Sequence, residues 1–513
     1  MTAATEPLPK DAPVASFEDP RALALSRVGV VDVGSNSVRL VVFDGAARSP
    51  AYYYNEKLMC GLGAGVRETG ILNPKGRARA LQAIKRFQCI ARSLGIEPLS
   101  AVATAAVREA TDGEDFRREV EETTGLDLRV IDGPEEARLS AQGVLLGWPG
   151  SNGLVCDIGG SSMELATISE GKIGTCLTSQ LGPLRLKGIK GGKKATSAYI
   201  KEVVSDLSDK IGSHPERLFL VGGSWRAIAR IDMLRRGYPL HVLHEYRMST
   251  KNARSTIKFI RNTPIDELQA LSGNSAARMA LVPLAAEVLS RLIKKFKPDN
   301  IAVSSYGIRE GLLYEKMPDH LRQMDPLIEA CRFSEAKDAR LVGFGDVLYD
   351  FVMPLFKSGP ERWHRIIHAA CLLHDVSWRA HPDYRAEACF DNITRANLGG
   401  LRHSERVFLG LSLLHRYKNK REGNRFENLA RLLSDSDLHA AEVLGRAMRF
   451  GAMMWLQSDD KPGKFKWHPR KKVLELHLAD SARPLFGEVA NARLQSLAQT
   501  LGAEVVIKRL KSS

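Results

Sequence analysis

Apolar residues recur along this chain in two rhythms, one of short runs and one of helical spacing. The first short run, GVVDV, carries Asp32, passes through a Gly/Ser turn and resumes at Val38–Phe43. Residues 153–165, GLVCDIGGSSMEL, do the same: an apolar run leads to Asp157, then Gly159, Gly160, Ser161 and Ser162, then Glu164 inside a second apolar run. Short apolar runs divided by a Gly/Ser turn predict strand–turn–strand. Alone, each is what an ordinary hairpin gives. A shift of 125 positions, however, lays Asp32 on Asp157, Gly34 on Gly159, Ser37 on Ser162 and Leu40 on Leu165, with Arg39 falling on Glu164. That echo predicts a duplicated unit.

The chain between and after these hairpins alternates strand and helix signals. Apolar positions 80, 81, 84, 87, 90, 91 and 94 predict a helix over 75–94. Tyr52, Tyr53 and Tyr54 mark further strand over 51–66, and SAVATAAVREA (100–110) reads as a buried strand with Arg108 near its carboxyl end. Further strands are expected at 128–132, 172–178, 217–221 and 300–303, and helices at 112–123 and 196–211. Pro134 is favourable at a helix start, which puts Glu135 and Glu136 in the first turn. The alternation predicts α/β architecture. From about Pro326 the rhythm becomes that of long amphipathic helices, and the last stretch reads as strand (473–477), helix (484–501) and strand (503–508). The expected organisation is a tail (1–27), two α/β domains (28–150 and 151–325), a helical domain (326–460) and a small basic α/β domain (461–513).

Composition narrows the setting. A chain of 513 residues with 44% hydrophobic content has material for several cores, about three domains by length alone. No run reaches the roughly 20 apolar residues of a membrane helix, and the first 27 residues lack a signal peptide's apolar centre. Seven scattered cysteines without Cys-x-x-Cys predict reduced thiols and a cytoplasmic setting. The formal charge of +15 fits nucleic acid, an anionic membrane surface or another polyanion as partner, and equally a merely basic soluble protein. Residues 461–513 hold eleven Lys/Arg against four Asp/Glu, including Lys464, Lys466, Arg470, Lys471 and Lys472 around Phe465 and Trp467. That interleaving suits nucleic acid or a long flexible anion equally; no RNA-binding motif accompanies it, which makes nucleic acid the weaker reading.

The turns supply the chemistry. Their glycines let backbone N–H groups face a bound anion. Asp157 and Glu164 are hard oxygen ligands of the kind that hold Mg²⁺ beside phosphate. Gly222, Gly223 and Ser224, between a strand and a helix, form another anion-ready terminus. Arg309 follows a further glycine turn in SSYGIREGLLYE. The carboxylates of Glu135 and Glu136 read either as helix capping or, for one of them, as a base facing a cleft. Arg185, Lys187, Lys190, Lys193 and Lys194 read as a phosphate-grasping loop or as a solvated linker. In RWHRIIHAACLLHDVSW, His364 and His368 share a helix face and His374-Asp375 is a possible metal pair. The run resembles the HD phosphohydrolase helix. No histidine stands between 327 and 363, so a structural role is the expected one.

Six stretches in order resemble the exopolyphosphatase / guanosine pentaphosphate phosphatase family: DVGSNSVRL (32–40), ATAAVREA (103–110), GPEEARL (133–139), DIGGSSMEL (157–165), VGGS (221–224) and YGIREGLLYE (306–315). The resemblance implies a pair of actin-like, ribonuclease H-like domains flanking a cleft, followed by a degenerate HD-like domain and a small C-terminal domain. It implies Mg²⁺-dependent hydrolysis of a terminal phosphoanhydride and, commonly, a homodimer. Carried over by motif, Glu136 is the general base, and Asp157 and Glu164 are metal and water-positioning carboxylates with Asp32 as their counterpart. Ser35, Asn36, Ser37, Gly159, Gly160, Ser161, Ser162, Gly223 and Ser224 hold phosphate, as does Arg108. Arg309 and the basic C-terminal residues are expected to line a polyphosphate channel. Many members have glycine where Ser161 stands, and the His415-Arg416-Tyr417 order departs from the usual run. The expected reaction is release of orthophosphate from the end of inorganic polyphosphate. Guanosine pentaphosphate hydrolysis, a sugar-kinase-like ATP reaction and an inactive polyanion- or RNA-binding regulator are the alternatives, and the Glu-Glu helix start favours water over a sugar hydroxyl as nucleophile.

Overall fold

The computed structural model describes residues 27–510 apart from 47, 97, 213, 358, 419–423 and 455–461. The tail expected over 1–27 lies outside the described residues except for Arg27, which opens the first strand. The described residues form two compact units that divide after Pro326.

The unit ending at Pro326 contains two mixed sheets. The first has the order β3-β2-β1-β4-β5, from β1 (Arg27–Val33), β2 (Ser37–Ala46), β3 (Ser49–Met59), β4 (Ser100–Ala103) and β5 (Leu128–Val130). The second contains β6 (Gly153–Ile158), β7 (Met163–Ser169), β8 (Lys172–Ser179), β9 (Arg217–Val221), β10 (Tyr246–Ser249) and β11 (Asn300–Val303), in the order β10-β11-β9-β6-β7-β8. The echo in the sequence is an echo in space. In each sheet a strand ending in Asp-x-Gly pairs antiparallel with the next strand and parallel with the one after its crossover. Asp32 faces Arg39 across the first hairpin, and Asp157 faces Glu164 across the second. Gly34 N donates to Ser37 O and Gly159 N to Ser162 O, both at 3.0 Å.

Side-chain alternation explains the burial. Val31 and Val33 pack with Ile84 and Phe87 of the helix Pro74–Leu94, whereas Val28 and Val30 point to the opposite face. That face meets the helix Gly133–Gly147, which lies between the two sheets. Leu139 and Leu146 pack on the first sheet, and Ala137, Ala141 and Val144 on the second. A helix buried on nearly all sides carries apolar residues all round, which is why only its start is legible in the sequence. Gly311, on the helix Ile308–Lys316, lets that helix press on it: a Cβ there would sit 1.9 Å from Leu139 O.

One strand is shorter than expected. The run 100–110 is strand only over Ser100–Ala103; Ala105–Glu109 is a short helix bearing Arg108. Alanine-rich apolar runs fit either state, and length is a weak arbiter over eleven residues.

The unit from Leu327 packs amphipathic helices with a three-stranded sheet, β12 (Gly463–His468), β13 (Val473–Leu478) and β14 (Glu504–Arg509). Phe465 of β12 stacks on Phe351 and Phe450 of the helices, so sheet and helices share a core. Phe465 is 2% exposed and unavailable for stacking on a base. Lys464 and Lys466, on the alternate face, are exposed, as are Arg470, Lys471 and Lys472 in the following turn. Two histidines of the HD-like run, His368 and His374, are hydrogen-bonded within the protein. His368 Nε2 meets Asp346 Oδ1 at 2.6 Å, Asp346 also pairs with Arg332, His374 Nδ1 meets Cys371 O at 2.8 Å, and Asp375 pairs with Arg340. His415 is buried, closely packed on Gly445.

Candidate active site

The carboxyl ends of both sheets converge, the place where open α/β sheets gather ligands, and the cleft there measures about 420 Å³. Its walls include Asp32 and the turn Gly34–Ser37 on one side, and Asp157 with the turn Gly159–Ser162 on the other. Glu136, Gly223, Ser224 and Arg309 complete the site. The structure thus brings both hairpin turns, both aspartates and the helix-borne glutamate to one cavity.

Each turn is held by its carbonyls. Ser35 O accepts from Gly63 N (2.7 Å) and Asn36 O from Gly61 N (3.0 Å); Gly160 O accepts from Leu184 N (2.9 Å) and Ser161 O from Gly182 N (3.2 Å). Among the described residues, the N–H groups of Ser35, Asn36, Gly160 and Ser161 donate to no backbone acceptor. Both turns therefore present unengaged donors to the same space, an arrangement suited to phosphate oxygens. Gly222, at φ 113°, caps the helix Gly223–Arg235; a Cβ there would lie 2.5 Å from Ile158 O and 3.1 Å from Asp157 Oδ1. Only glycine lets this helix terminus approach the aspartate strand so closely.

Glu136 sits one turn into its helix, whose start is capped by Asp132 Oδ1 accepting from Glu135 N at 2.7 Å. Glu135 is half-buried and pairs with Arg129 and Arg138; Glu136 is 5% exposed. Burial pushes the Glu136 carboxyl up to about 8, opposed by Arg108 and reinforced by Asp157. Arg108 Nη1 donates to Glu136 Oε2 at 3.3 Å and to Ile131 O at 2.6 Å. Arg108, expected to hold phosphate, is not among the residues that line the cleft; its partner there is Glu136. Ser140, one turn along from Glu136, donates to Asp157 Oδ2. Glu164 is buried beside Asp157 and accepts from Thr178 Oγ1 at 3.1 Å; burial, then Glu136 and Asp157, push its carboxyl up. Burial likewise raises Asp32 and Asp157, against nearby arginines including Arg309.

Several groups at the site escaped sequence reasoning. Ser140 is one hydroxyl in a long apolar helix. Lys57, Arg226 and Arg278 line the cleft from three separate elements. Arg226 carried a weak signal, standing just past Gly-Gly-Ser on an anion-ready terminus. Of the basic loop, Arg185 bonds to Glu109 at 3.3 Å, and Lys187, Lys190, Lys193 and Lys194 do not line the cleft. The basic residues of β12 and its turn belong to the other compact unit.

Could these residues hold a divalent cation? The donors are hard carboxylate oxygens whose ionisation burial opposes, and a cation would relieve that. Among the described residues no cluster of three or more His, Cys, Asp or Glu is close enough to cage a metal. Such a site fits Mg²⁺, which commonly takes one or two carboxylates and completes its shell with water and phosphate oxygens.

Residues 41–320 match the Ppx/GppA phosphatase family, and residues 357–507 match the family described as exopolyphosphatase, C-terminal. Exopolyphosphatase 1 of Mycobacterium tuberculosis is 28% identical over 307 residues, covering 57% of this chain and 88% of that protein. Retrograde regulation protein 2 of Saccharomyces cerevisiae is 23% identical over 547 residues, covering 94% of this chain and 90% of its own. Among solved structures, an exopolyphosphatase from Cytophaga hutchinsonii superposes with a TM-score of 0.52 at 25% identity, covering 58% of this chain and 99% of that one. The Aquifex aeolicus Ppx/GppA family member superposes at 0.51 with 22% identity, covering 56% and 97%. With more than half its length matched, this chain belongs to the Ppx/GppA phosphatase family and is a phosphoanhydride hydrolase.

Proposed function

We propose that this chain is an exopolyphosphatase, releasing orthophosphate from the end of inorganic polyphosphate by attack of water. The observation that carries the reading is a buried carboxylate, Glu136, in one cavity with two aspartates and two turns in which the N–H groups of Ser35, Asn36, Gly160 and Ser161 donate to no backbone acceptor. Phosphoryl transfer is chiefly positioning and charge neutralisation. The four turn amides and the helix terminus at Gly223 and Ser224 bind the terminal phosphate. Glu136 orients a water and takes its proton, a role typically contributing about 10²–10⁴-fold. Its raised pKa makes it an adequate base near neutral pH rather than a spectator carboxylate. Arg108 favours the ionised carboxylate against burial and orients it, and Ser140 fixes Asp157. When bound, Mg²⁺ held by Asp157 and Asp32, with Glu164 alongside, supplies neutralising charge to the phosphate oxygens.

The two sheets fit an actin-like pair, and the helices carrying His364, His368, His374 and Asp375 fit a degenerate HD-like domain. The basic hairpin with Lys464, Lys466, Arg470, Lys471 and Lys472 is proposed to hold distant phosphates of a long chain, each contact weakened by salt. No helix among the described residues is long and apolar enough to cross a membrane. A cytoplasmic homodimer remains part of the proposal.

A second reading within the same chemistry is hydrolysis of guanosine pentaphosphate. Phosphate release from polyphosphate, guanosine pentaphosphate and ATP, with Mg²⁺ and after chelation, decides among them. The account expects polyphosphate to be preferred and chelation to abolish release. Preference for guanosine pentaphosphate would support the second reading, and no release from either phosphate chain would overturn both.

A further inference from the structure

The helix Ile308–Lys316 begins with a buried carboxylate that the hydrolytic scheme does not use. Glu310 is 1% exposed and follows Arg309, which lines the cleft. Its Oε2 accepts from Gly307 N at 2.7 Å, and its Oε1 accepts from the Tyr52 hydroxyl at 2.6 Å. Tyr52 belongs to β3 of the first sheet and packs on Phe43; Gly307 stands in the turn that leaves β11 of the second. One carboxylate therefore ties the two lobes together.

Gly307 is a crowded point. A Cβ there would meet Val221 Cγ1 at 2.8 Å and Asp157 Oδ2 at 3.8 Å, and a Cβ on Gly143 would meet Gly307 O at 2.2 Å. The turn is wedged between Asp157 and the helix that carries Glu136 and Ser140. The bond to Gly307 N thus acts on backbone that touches both.

Helix capping accounts for only part of this. A glutamate three residues past the start of a helix reaches back to the N–H there, and glutamine does so equally well. Capping calls for no charge, and burying one is costly unless it is compensated. Here the compensation is cationic. Against burial, Glu310 and then Asp32 raise the Arg309 guanidinium. Burial, then Arg309, lowers Arg226, and Tyr52 and Glu310 oppose that. Without Glu310 the two cleft arginines would repel one another with less to hold them in place.

We propose that Glu310 is a positioning residue for the hydrolysis: its charge holds Arg309 in the cleft, its bond to Gly307 keeps the turn against Asp157, and Tyr52 fixes it from the other lobe. The inference rests on the hydrolytic centre of the exopolyphosphatase reading and adds a group that acts through Arg309 and Gly307.

Glu310→Gln keeps the shape and the cap and removes the charge; Tyr52→Phe removes only the donor. Both are made in the full chain, and kcat and KM for phosphate release from polyphosphate are measured beside the melting temperature. Glu310→Gln should lower kcat about tenfold, the scale of a displaced catalytic geometry. KM should stay level or fall, because removing a negative charge beside the cleft favours a polyanion. Tyr52→Phe should lower kcat less, and adding it to Glu310→Gln should cost little more, since the two act through one bond. Wild-type kcat in both variants overturns the proposal. So does a lower melting temperature with wild-type kcat below the transition, which would leave Glu310 a cap alone. If Glu310→Gln does not fold, Tyr52→Phe decides: reduced kcat at level KM supports the proposal, and unchanged kcat overturns it. Release by the wild type from guanosine pentaphosphate but not from polyphosphate would sink the exopolyphosphatase reading, and the same kcat comparison on guanosine pentaphosphate would still decide on Glu310.

Discussion

Burial makes the Glu136 carboxyl a weak acid, and a base works only when ionised. With its pKa pushed up to about 8, kcat/KM on polyphosphate should climb through the neutral range and level off above it. Arg108 lowers that pKa by its charge at 3.3 Å. Arg108→Gln should therefore shift the acidic limb of the pH–rate profile upward, by about one unit on the usual scale of a neighbouring charge. A profile displaced downward, or not at all, would assign Arg108 to phosphate rather than to the base. At this scale the sequence told much about one kind of residue and little about another. Asp32 and Asp157 were legible because duplication printed them twice in the same frame. Arg226 and Arg278 were not, because lone cations scattered over amphipathic helices look like any solvated surface.

Elements place these residues through close backbone approach. The helix Gly133–Gly147 carries both Glu136 and Ser140, and the helix Ile308–Lys316 carries Arg309; Gly143 and Gly311 let the two touch. A methyl at Gly311 would meet Leu139 O at 1.9 Å. Gly311→Ala should cost about 1–3 kcal/mol, the usual range for overpacking, and lower kcat through displaced Glu136. Gly487, where a Cβ meets nothing within 4 Å, serves as the control for Gly→Ala. Equal melting temperatures for the two variants would show that the helices yield without effect on the site. The two hairpins followed readily from short apolar runs divided by Gly/Ser turns. The helix after Ser100–Ala103 did not, since alanine suits a buried strand and a short helix alike. Nor did β12 stand out, because its lysines and aromatics alternate in a stretch whose charge dominates the reading.

Beside the two turns an ion pair, Arg185 Nη1 to Glu109 Oε2 at 3.3 Å, joins the two lobes. Arg185 follows β8 and Glu109 follows β4, and both line a cavity with Ser35, Asn36 and Ser161 of the turns. Such partly exposed pairs contribute about 0.2–1 kcal/mol. Arg185→Glu should raise KM for polyphosphate a few-fold by that scale, and the swap Arg185→Glu with Glu109→Arg should restore it. Failure of the swap to restore KM would mean that the pair does not hold the lobes. The duplicated turns bind as one grip only if the lobes keep this approach, and neither hairpin supplies both donors and base alone. Glu136 is the group on which activation of water depends. Its most direct test is to measure phosphate release and equilibrium binding of polyphosphate side by side for the wild type and Glu136→Gln. Release should fall by about 10²-fold or more while the binding constant stays within a few-fold. Release at the wild-type rate from the glutamine variant would contradict the account.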